Sequence, residues 1–231
     1  MKLKEPLKTF VVAFLSGMAV LIVFFFFLRP SQHDLYSQIE SGGYDAFTEY
    51  ISRNYDVNYS EGRSLLASAC VNNNFVMVDA LLAKGADPNK ADRLLITPLM
   101  FAAFYSDSGI VKSLMEHGAT ITNLDASGAN AVNFAASGNP ESIYLLVSHG
   151  GNINNSNRNG NTPLLTAVSL YEENKRNYIS IMTMLYLGAN VNCTNKDGLT
   201  PIMIATQHGD TNLVQLLNHG STGLQQGNAG F

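Results

Sequence analysis

The chain has 231 residues, 46% of them apolar, which suits one elongated domain and a small additional element. It holds 14 basic and 18 acidic residues. The first 29 residues contain four of the basic residues and one acidic residue, so the remainder carries 10 basic and 17 acidic residues, a net charge of −7. An acidic domain repels a phosphate backbone, and we therefore predict no nucleic-acid partner.

A long uncharged segment lies near the N-terminus. Residues 9–28 read TFVVAFLSGMAVLIVFFFFL, twenty residues without a charge. As a helix this segment is ~30 Å long, about the thickness of a bilayer core. A buried helix and a cleaved signal peptide are the alternatives. The apolar run is longer than a signal-peptide core and has no small-residue cleavage site, so we predict one retained transmembrane helix.

Charges around this span predict its orientation. Lys2, Lys4 and Lys8 precede the span, and Arg29 follows it. By the positive-inside rule, residues 1–8 form a short basic cytoplasmic N-terminus. After a linker at residues 29–33, the rest of the chain is expected in the periplasm, which makes this a single-pass inner (cell) membrane protein.

The segment after the linker has helical periodicity. Leu35 and Ile39 mark the apolar side of one short helix, and a glycine pair then turns the chain. Phe47, Tyr50 and Ile51 follow the spacing of one face of a second helix. This helix pair is predicted to be a terminal capping unit, because it lacks the opening motif of the units that follow.

Five further units follow, with a period of about 33 residues. Each opens with a polar residue that can cap a helix, and three openings then have proline, which suits the first helical turn. The openings begin at Ser64, Thr97, Asn130, Thr162 and Thr200. The closing turns run over residues 85–89, 118–122, 150–154 and 188–192. Four times, the next opening lies eight residues after the last closing residue.

These motifs resemble the ankyrin-repeat family over residues 34–220. The resemblance implies an all-α solenoid of about six helix-turn-helix repeats joined by β-hairpin turns. It also implies that the hairpin tips and the concave face of the inner helices bind other proteins. Residues 221–231, rich in Gly, Gln and Asn, are predicted to be a disordered tail.

The chain departs from the family pattern at two kinds of position. The slot where the family has histidine, two residues after the proline, holds Ala67, Met100, Asn133, Leu165 and Met203. Cross-repeat hydrogen bonds from that slot are therefore not expected, and stability should depend on apolar packing. In the hairpin at residues 90–96, Leu95 stands where the family has a turn glycine, so leucine should strain the turn or force a different one.

Individual repeats also vary. In the first full repeat, Val76, Val78, Leu81 and Leu82 are predicted to form the core face of the second helix. The third repeat is one residue short near Gly138, and the fourth has five extra residues around positions 171–176. The fifth repeat closes early, at His219–Gly220.

The histidines, cysteines and Asn-x-Ser/Thr triplets could each have a chemical or a structural role. Three of the five histidines, His117, His149 and His219, precede the glycine that ends a second helix, where a helix-dipole contact is favoured over metal binding. Cys70 and Cys193 lie four repeats apart, which excludes a disulfide between them. Unpaired thiols are unusual outside the cytoplasm, which counts against the predicted periplasmic location. The Asn-x-Ser/Thr triplets at residues 58, 154 and 192 fall in closing turns, so turn chemistry explains them better than glycosylation.

No phosphate loop, Gly-x-Ser-x-Gly motif or paired catalytic motif occurs, so we predict a non-catalytic protein without cofactor, metal or small-molecule substrate. A hydrolase built on the fourth-repeat insertion is the rival of a different class. The leading hypothesis is a membrane-anchored binding module that holds or inhibits a protein partner in the envelope. An immunity protein against a periplasm-acting toxin and a scaffold for a stress-defence enzyme are the alternatives.

The predicted partner-binding residues are apolar or basic residues at the hairpin tips and inner helices. In the first hairpin, Leu95 with Arg93 and Leu94 beside it is the predicted anchor, although Leu94 or Ile96 could instead pack on the adjacent hairpin. On the inner helices, large side chains stand where the family has variable, often polar residues, and extra core packing is the alternative for them. These are Phe104, Tyr105, Leu170 and Tyr171.

Overall fold

The computed structural model describes residues 30–171 and 176–223. The chain divides into two compact units, residues 1–55 and residues 56–231. In the described ranges the regular structure is α-helical, and no strand forms apart from an isolated bridge between Ser60 and Ser64. The predicted all-α class is therefore confirmed.

The first unit contains a helix pair, α1 (Gln32–Glu40) and α2 (Tyr44–Ser52). The Ser31 hydroxyl accepts a hydrogen bond from the Asp34 backbone N–H, and the Asp34 carboxylate accepts one from the Ser31 N–H at 2.9 Å. This reciprocal cap explains why α1 starts where it does. Among the described residues of this unit, the buried apolar side chains are Leu35, Tyr36, Ile39, Ala46, Phe47 and Tyr50.

In the second unit the described residues form five helix pairs. The pairs are α3 (Leu65–Val71) with α4 (Phe75–Ala83), α5 (Pro98–Tyr105) with α6 (Ser108–Glu116), α7 (Ala131–Ser137) with α8 (Pro140–Ser148), α9 (Pro163–Ser169) with α10 (Arg176–Tyr186), and α11 (Pro201–Gln207) with α12 (Thr211–Gly223). The first helices pack side by side as an inner layer, and the second helices form an outer layer behind them. This is the two-layer arrangement of a helical solenoid.

The predicted openings are helix caps. At each opening the side-chain oxygen of a Ser, Thr or Asn accepts a hydrogen bond from the backbone N–H three residues later, at 3.1 to 3.3 Å. In three of them, proline occupies the first helical position. Each inner helix therefore starts at the residue that the opening motif predicts.

The predicted closings are left-handed glycine turns. Gly85, Gly118, Gly150 and Gly188 have φ between 82° and 93°, and the following N–H donates back to the helix. The last helix, α12, differs, because it continues through Gly220 and ends at Gly223, three residues past the predicted end of the repeat domain. Residues 224–231 of the predicted tail lie outside the described residues.

The closing asparagines join successive repeats. The Asn58 Oδ1 atom accepts a hydrogen bond from the Asp87 N–H at 2.8 Å, and its Nδ2 donates to the Gly85 carbonyl. The Asn154 Oδ1 atom accepts from the Asn190 N–H at 2.8 Å. Both asparagines of these Asn-x-Ser triplets are thus used in the turns, as predicted.

One slot of the missing family histidine does make cross-repeat hydrogen bonds, contrary to expectation. The Asn133 Nδ2 donates to the Asn155 carbonyl at 3.1 Å, and the Asn155 Nδ2 donates to the Asn133 Oδ1 at 2.9 Å. Asparagine can replace histidine here because its amide both donates and accepts. Ala67 and Leu165, at the equivalent positions, are buried and contribute packing only.

The predicted core face of α4 was partly wrong. Val76 is exposed, and the neighbouring Met77 is buried instead. The buried stripe is Met77, Val78, Leu81 and Leu82, because positions i, i+1, i+4 and i+5 share one side of a helix and position 76 falls outside it.

Among the described residues, no helix is long and apolar enough to cross a membrane. The predicted span at residues 9–28 and the basic segment before it lie outside those residues, as do residues 172–175 of the predicted insertion. The membrane anchor therefore remains a prediction from the sequence.

Candidate protein-binding surface

Four short loops connect the repeats of the second unit, and we call them fingers 1 to 4: residues 90–96, 123–129, 155–161 and 193–199. Each finger is closed by a backbone hydrogen bond in which the N–H of its third residue donates to the carbonyl four residues later. In finger 1 the Asp92 N–H donates to the Ile96 carbonyl at 3.0 Å. The Asp92 Oδ1 atom also accepts from the N–H groups of Leu94 and Ile96. These tight loops replace the predicted β-hairpins, since so few residues leave no room for paired strands.

The third residue of each finger is Asp or Asn, and its side chain plays the same part every time. The Oδ1 atoms of Asp125, Asn157 and Asn195 each accept two backbone N–H groups of their own finger, at 2.8 to 3.0 Å. The sequence carried this signal as a recurring Asp or Asn three residues after each closing turn, but sequence reasoning missed it. These side chains hold the finger tips in one conformation.

Leu95 adopts the backbone conformation of the glycines that it replaces. Its φ is +61°, and the equivalent Gly128, Gly160 and Gly198 have φ of 81°, 78° and 73°. The turn is therefore the same as in the other fingers, and leucine takes the left-handed conformation that is sterically unfavourable for a residue with a Cβ. Of the two outcomes predicted from the sequence, the structure has the strained turn.

Adjacent fingers are joined through their backbones. The Ala126 N–H of finger 2 donates to the Leu94 carbonyl of finger 1 at 2.8 Å. The Arg158 N–H donates to the Ser127 carbonyl at 2.7 Å, and the Lys196 N–H donates to the Asn159 carbonyl at 2.9 Å. The four tips thus form one ordered edge of the domain.

Three leucines make the first part of this edge apolar. Leu94 is 60% exposed and Leu95 is 54% exposed, so neither side chain is covered by the adjacent finger. Leu124 of finger 2 is also exposed. The predicted Arg93 is exposed beside them, and Ile96 is half-buried. Leu124 was not predicted, although the other fingers have Ala, Ser or Thr at its position.

A groove of about 230 Å³ adjoins the fingers on the inner-helix side. Phe104 of α5 and Phe134 of α7 supply its aromatic surface, and Asp125 of finger 2 and Asn157 of finger 3 also line it. The predicted Phe104 therefore lies beside fingers 2 and 3, and no residue of finger 1 lines this groove. Phe134 was missed, although it stands one repeat after Phe101 in the same register.

Tyr105 lies elsewhere, although it is adjacent to Phe104 and their ring centroids are 4.6 Å apart. It is exposed and lines a separate groove with Asp107, Glu141 and Ile179, where the inner helices turn into the outer helices. The structure therefore does not bring Tyr105 together with the finger tips.

Leu170 and Tyr171 form a further location, at the C-terminal end of α9. Both are half-buried, and the Tyr171 ring centroid lies 6.2 Å from that of Tyr178. Partial burial, and then the Asp210 carboxylate that accepts its hydrogen bond, raise the pKa of the Tyr171 hydroxyl. The seven predicted residues thus occupy four places: Arg93, Leu94 and Leu95 lie in finger 1, Phe104 in the groove beside fingers 2 and 3, Tyr105 in the separate groove, and Leu170 and Tyr171 at the end of α9.

Two of the histidines and both cysteines are accounted for by hydrogen bonds or burial. The Nδ1 atoms of His117 and His149 each donate to the carbonyl four residues earlier, at 2.8 Å, at the ends of α6 and α8. Cys70 is fully buried, and burial raises the pKa of its thiol. Burial also raises the pKa of the Cys193 thiol, which lies 3.2 Å from the Thr162 hydroxyl. In the described part of the chain no cluster of His, Cys, Asp or Glu could hold a metal ion.

Comparison with family models gives matches over most of the chain. A model described as ankyrin repeats (3 copies) matches residues 35–125 and 99–179, and one described as ankyrin repeats (many copies) matches residues 170–217. These segments include the helix pairs of both units.

Individual relatives are similar over shorter stretches. The chain is 36% identical over 93 residues, 40% of its length, to ankyrin repeat domain-containing protein SAT10 of Stachybotrys chartarum, of which it spans 5%. It is 34% identical over 109 residues, 46% of its length, to ankyrin repeat protein FPV031 of fowlpox virus, of which it spans 32%. It is 31% identical over 135 residues, 57% of its length, to ankyrin repeat protein FPV223 of the same virus, and there the match spans 91% of the relative. With the capped helix pairs and the fingers, these matches show that the chain belongs to the ankyrin-repeat family of protein-interaction modules.

Proposed function

We propose that this protein is a non-catalytic binding module, anchored in the membrane by residues 9–28, that holds a protein partner with its finger tips and concave groove. The proposal rests on Leu95, which combines a strained backbone with an exposed side chain. Its left-handed backbone costs roughly 1–2 kcal/mol relative to glycine. The 54% exposure of its side chain means that burial within the chain offsets little of that cost.

A partner that covers Leu95 accounts for both the strain and the exposure. Strained backbone conformations are concentrated at ligand-binding positions, where a function maintains them. Leu94 and Leu124 extend the apolar surface to the neighbouring finger, and the hydrogen bond between Ala126 and the Leu94 carbonyl fixes the two tips together. The ordered tips lose little conformational entropy on binding, which favours affinity.

The adjoining groove indicates the chemistry of the partner. Phe104 and Phe134 offer aromatic surface in this groove, and the side chains of Asp125 and Asn157 also line it. Aromatic side chains together with polar groups are usual in a protein interface. The partner segment should therefore present aliphatic or aromatic side chains together with hydrogen-bond donors.

The binding test compares the natural chain with Leu95→Gly in solubilised membranes of the native host. We expect the recovered partner to bind the variant about tenfold more weakly, because truncating a central anchor costs ~2 kcal/mol or more. Val76→Ala is the matched control, since Val76 is equally exposed but lies on the outer helix α4. Unchanged affinity of the purified partner for Leu95→Gly would overturn the proposed surface.

The same partner separates the possible roles. If it is a toxin acting in the periplasm, the purified domain should inhibit it at stoichiometric concentration. If it is a resident envelope enzyme, its activity should persist in the complex.

The location of the domain is a second part of the proposal. Three lysines before an uncharged stretch of twenty residues support an N-terminus in the cytoplasm and a domain in the periplasm. A reporter that is active only in the periplasm, fused after Phe231, should be active, and the mature chain should keep residues 1–28. A soluble product that begins near Ser31 would refute the retained anchor.

A further inference from the structure

The outer layer carries a second apolar surface, distinct from the fingers and the groove beside them. Ile179, Met182 and Tyr186 of α10 are all exposed, and Tyr186 is 72% exposed. Their spacing of three and then four residues places them in one stripe along the helix. Exposed Tyr144 of α8 faces the same groove, whose volume is about 600 Å³. We call this surface the outer groove.

The outer groove is unlike the neighbouring part of the outer layer. Counted back from the glycine that ends each repeat, Met182 and Tyr144 correspond to Lys112 of α6. Tyr186 corresponds in the same way to Glu116. Lys112 and Glu116 form a solvent-exposed ion pair at 3.8 Å, as expected of a hydrated helix surface. At these two positions α10 has Met182 and Tyr186, and α8 has Tyr144 and the small polar Ser148. The loss of both charges favours a surface that a partner covers.

The described charged residues that line the outer groove and the adjoining groove are acidic. Glu141 lines it, and the adjoining groove beside Tyr105 is lined by Glu141 and Asp107. The Glu141 carboxylate accepts a hydrogen bond from the Ser108 hydroxyl at 3.2 Å, and the Asp107 carboxylate accepts one from the Asn73 amide at 3.0 Å. In the described residues neither carboxylate forms a salt bridge. A ligand with positive charge at this end of the groove is therefore favoured.

We infer that the outer groove binds an amphipathic helix of a second protein, with an aliphatic stripe along α8 and α10 and Lys or Arg over Glu141 and Asp107. Two parallel outer helices with a groove between them accept a third helix at the usual packing distance of about 8–10 Å. The stripe of Ile179, Met182 and Tyr186 is as long as two turns of such a helix. Because residues of the outer helices line this groove, and only residues of the fingers and inner helices line the finger-side groove, the domain can hold two proteins at once.

The test uses two synthetic helical peptides of about 15 residues, each with leucines at positions i, i+3, i+4 and i+7. One peptide has two lysines at one end, and the other has two glutamates there. Binding to the full-length chain in lipid nanodiscs is measured by fluorescence anisotropy. We expect the lysine peptide to bind about tenfold more tightly than the glutamate peptide.

Variants connect this binding to the outer groove. Met182→Glu should weaken the lysine peptide about tenfold or more, because it places a charge in the apolar stripe. Glu141→Gln combined with Asp107→Asn should remove the preference for lysine. Lys112→Gln, at the corresponding position of α6, is the control and should leave binding unchanged. Circular dichroism melts of all variants exclude loss of folding as the cause.

Several results would overturn the inference. Equal affinity for the two peptides would remove the role of the acidic end, and binding that survives Met182→Glu would place the peptide elsewhere. Self-association of the chain that Met182→Glu abolishes would make a second copy the occupant. Binding of lipid vesicles that Met182→Glu abolishes would make it a membrane surface.

Discussion

Gly138 lies directly against Phe104 of the preceding repeat. A Cβ atom at Gly138 would be 2.2 Å from the Phe104 carbonyl oxygen and 2.6 Å from its Cα. The φ of Gly138 is −120°, so glycine is required here for the close approach of two backbones and not for a left-handed turn. The third repeat is one residue short at this point, and the turn between α7 and α8 packs against α5.

The contact predicts a destabilised Gly138→Ala variant. Fitting a methyl group at this contact requires a backbone shift, and overpacking of this kind costs about 1–3 kcal/mol. The measurement is the free energy of unfolding in urea. Gly109→Ala is the matched control, because a Cβ there meets no atom within 4 Å and alanine is the better helix former. Equal stability of the two variants would show that the Phe104 contact is not tight.

The repeat pattern could be predicted from the sequence because its signals are local. Thr97, Thr162 and Thr200 cap the helices that begin beside them, and Gly118 or Gly150 ends a helix within the same few residues. Such signals depend on backbone geometry at one position and need no knowledge of neighbours. The helix starts followed from them.

The surfaces were harder to predict because exposure depends on neighbouring repeats. Phe104 and Tyr105 are adjacent in sequence, yet they line different grooves. The spacing of Ile179, Met182 and Tyr186 is as compatible with a buried face as with an exposed one, and only the packing of α10 on α8 decides between them. Asn133 likewise needed the position of Asn155 before its hydrogen bonds could be recognised.

Asn133→Ala should destabilise the domain. The variant leaves the Asn155 carbonyl and the Asn130 N–H without the side-chain partners that Asn133 supplies at 3.1 Å and 3.0 Å. Unsatisfied buried groups cost about 1–3 kcal/mol each. Asn159→Ala is the control, because Asn159 is exposed at a finger tip and should change stability by less than about 0.5 kcal/mol. A thermal or urea melt that ranks the two variants equally would contradict the role of Asn133.

The buried Cys70 thiol predicts a loss of stability at high pH. Burial raises the pKa of the folded-state thiol, whereas the unfolded thiol ionises near a pH of about 8.5. Above that pH the unfolded chain releases a proton that the folded chain retains, so the stabilisation present at lower pH is lost as pH rises. The slope is at most about 1.4 kcal/mol per pH unit for one group.

The measurement for Cys70 is urea unfolding between pH 7 and pH 10, carried out on the natural chain and on Cys70→Ala. The variant is expected to lose less stability across this range, whatever its stability at pH 7. Cys193→Ser serves for comparison, since Cys193 is only partly buried and should change the slope less. Parallel curves for the natural chain and Cys70→Ala would exclude the thiol as the titrating group.

The last prediction concerns Leu95 and its glycine counterpart in finger 4. Leu95→Gly should raise the free energy of unfolding by about 1 kcal/mol, because glycine adopts a φ of +61° without steric cost. Gly198→Leu is the mirror variant: its φ is 73°, and a Cβ there meets no atom within 4 Å. It should lower stability by a similar amount through backbone strain alone. Opposite shifts of similar size in urea unfolding would confirm that Leu95 is strained in the free protein. A loss of stability in Leu95→Gly would instead mean that the leucine side chain contributes packing that exceeds its backbone strain.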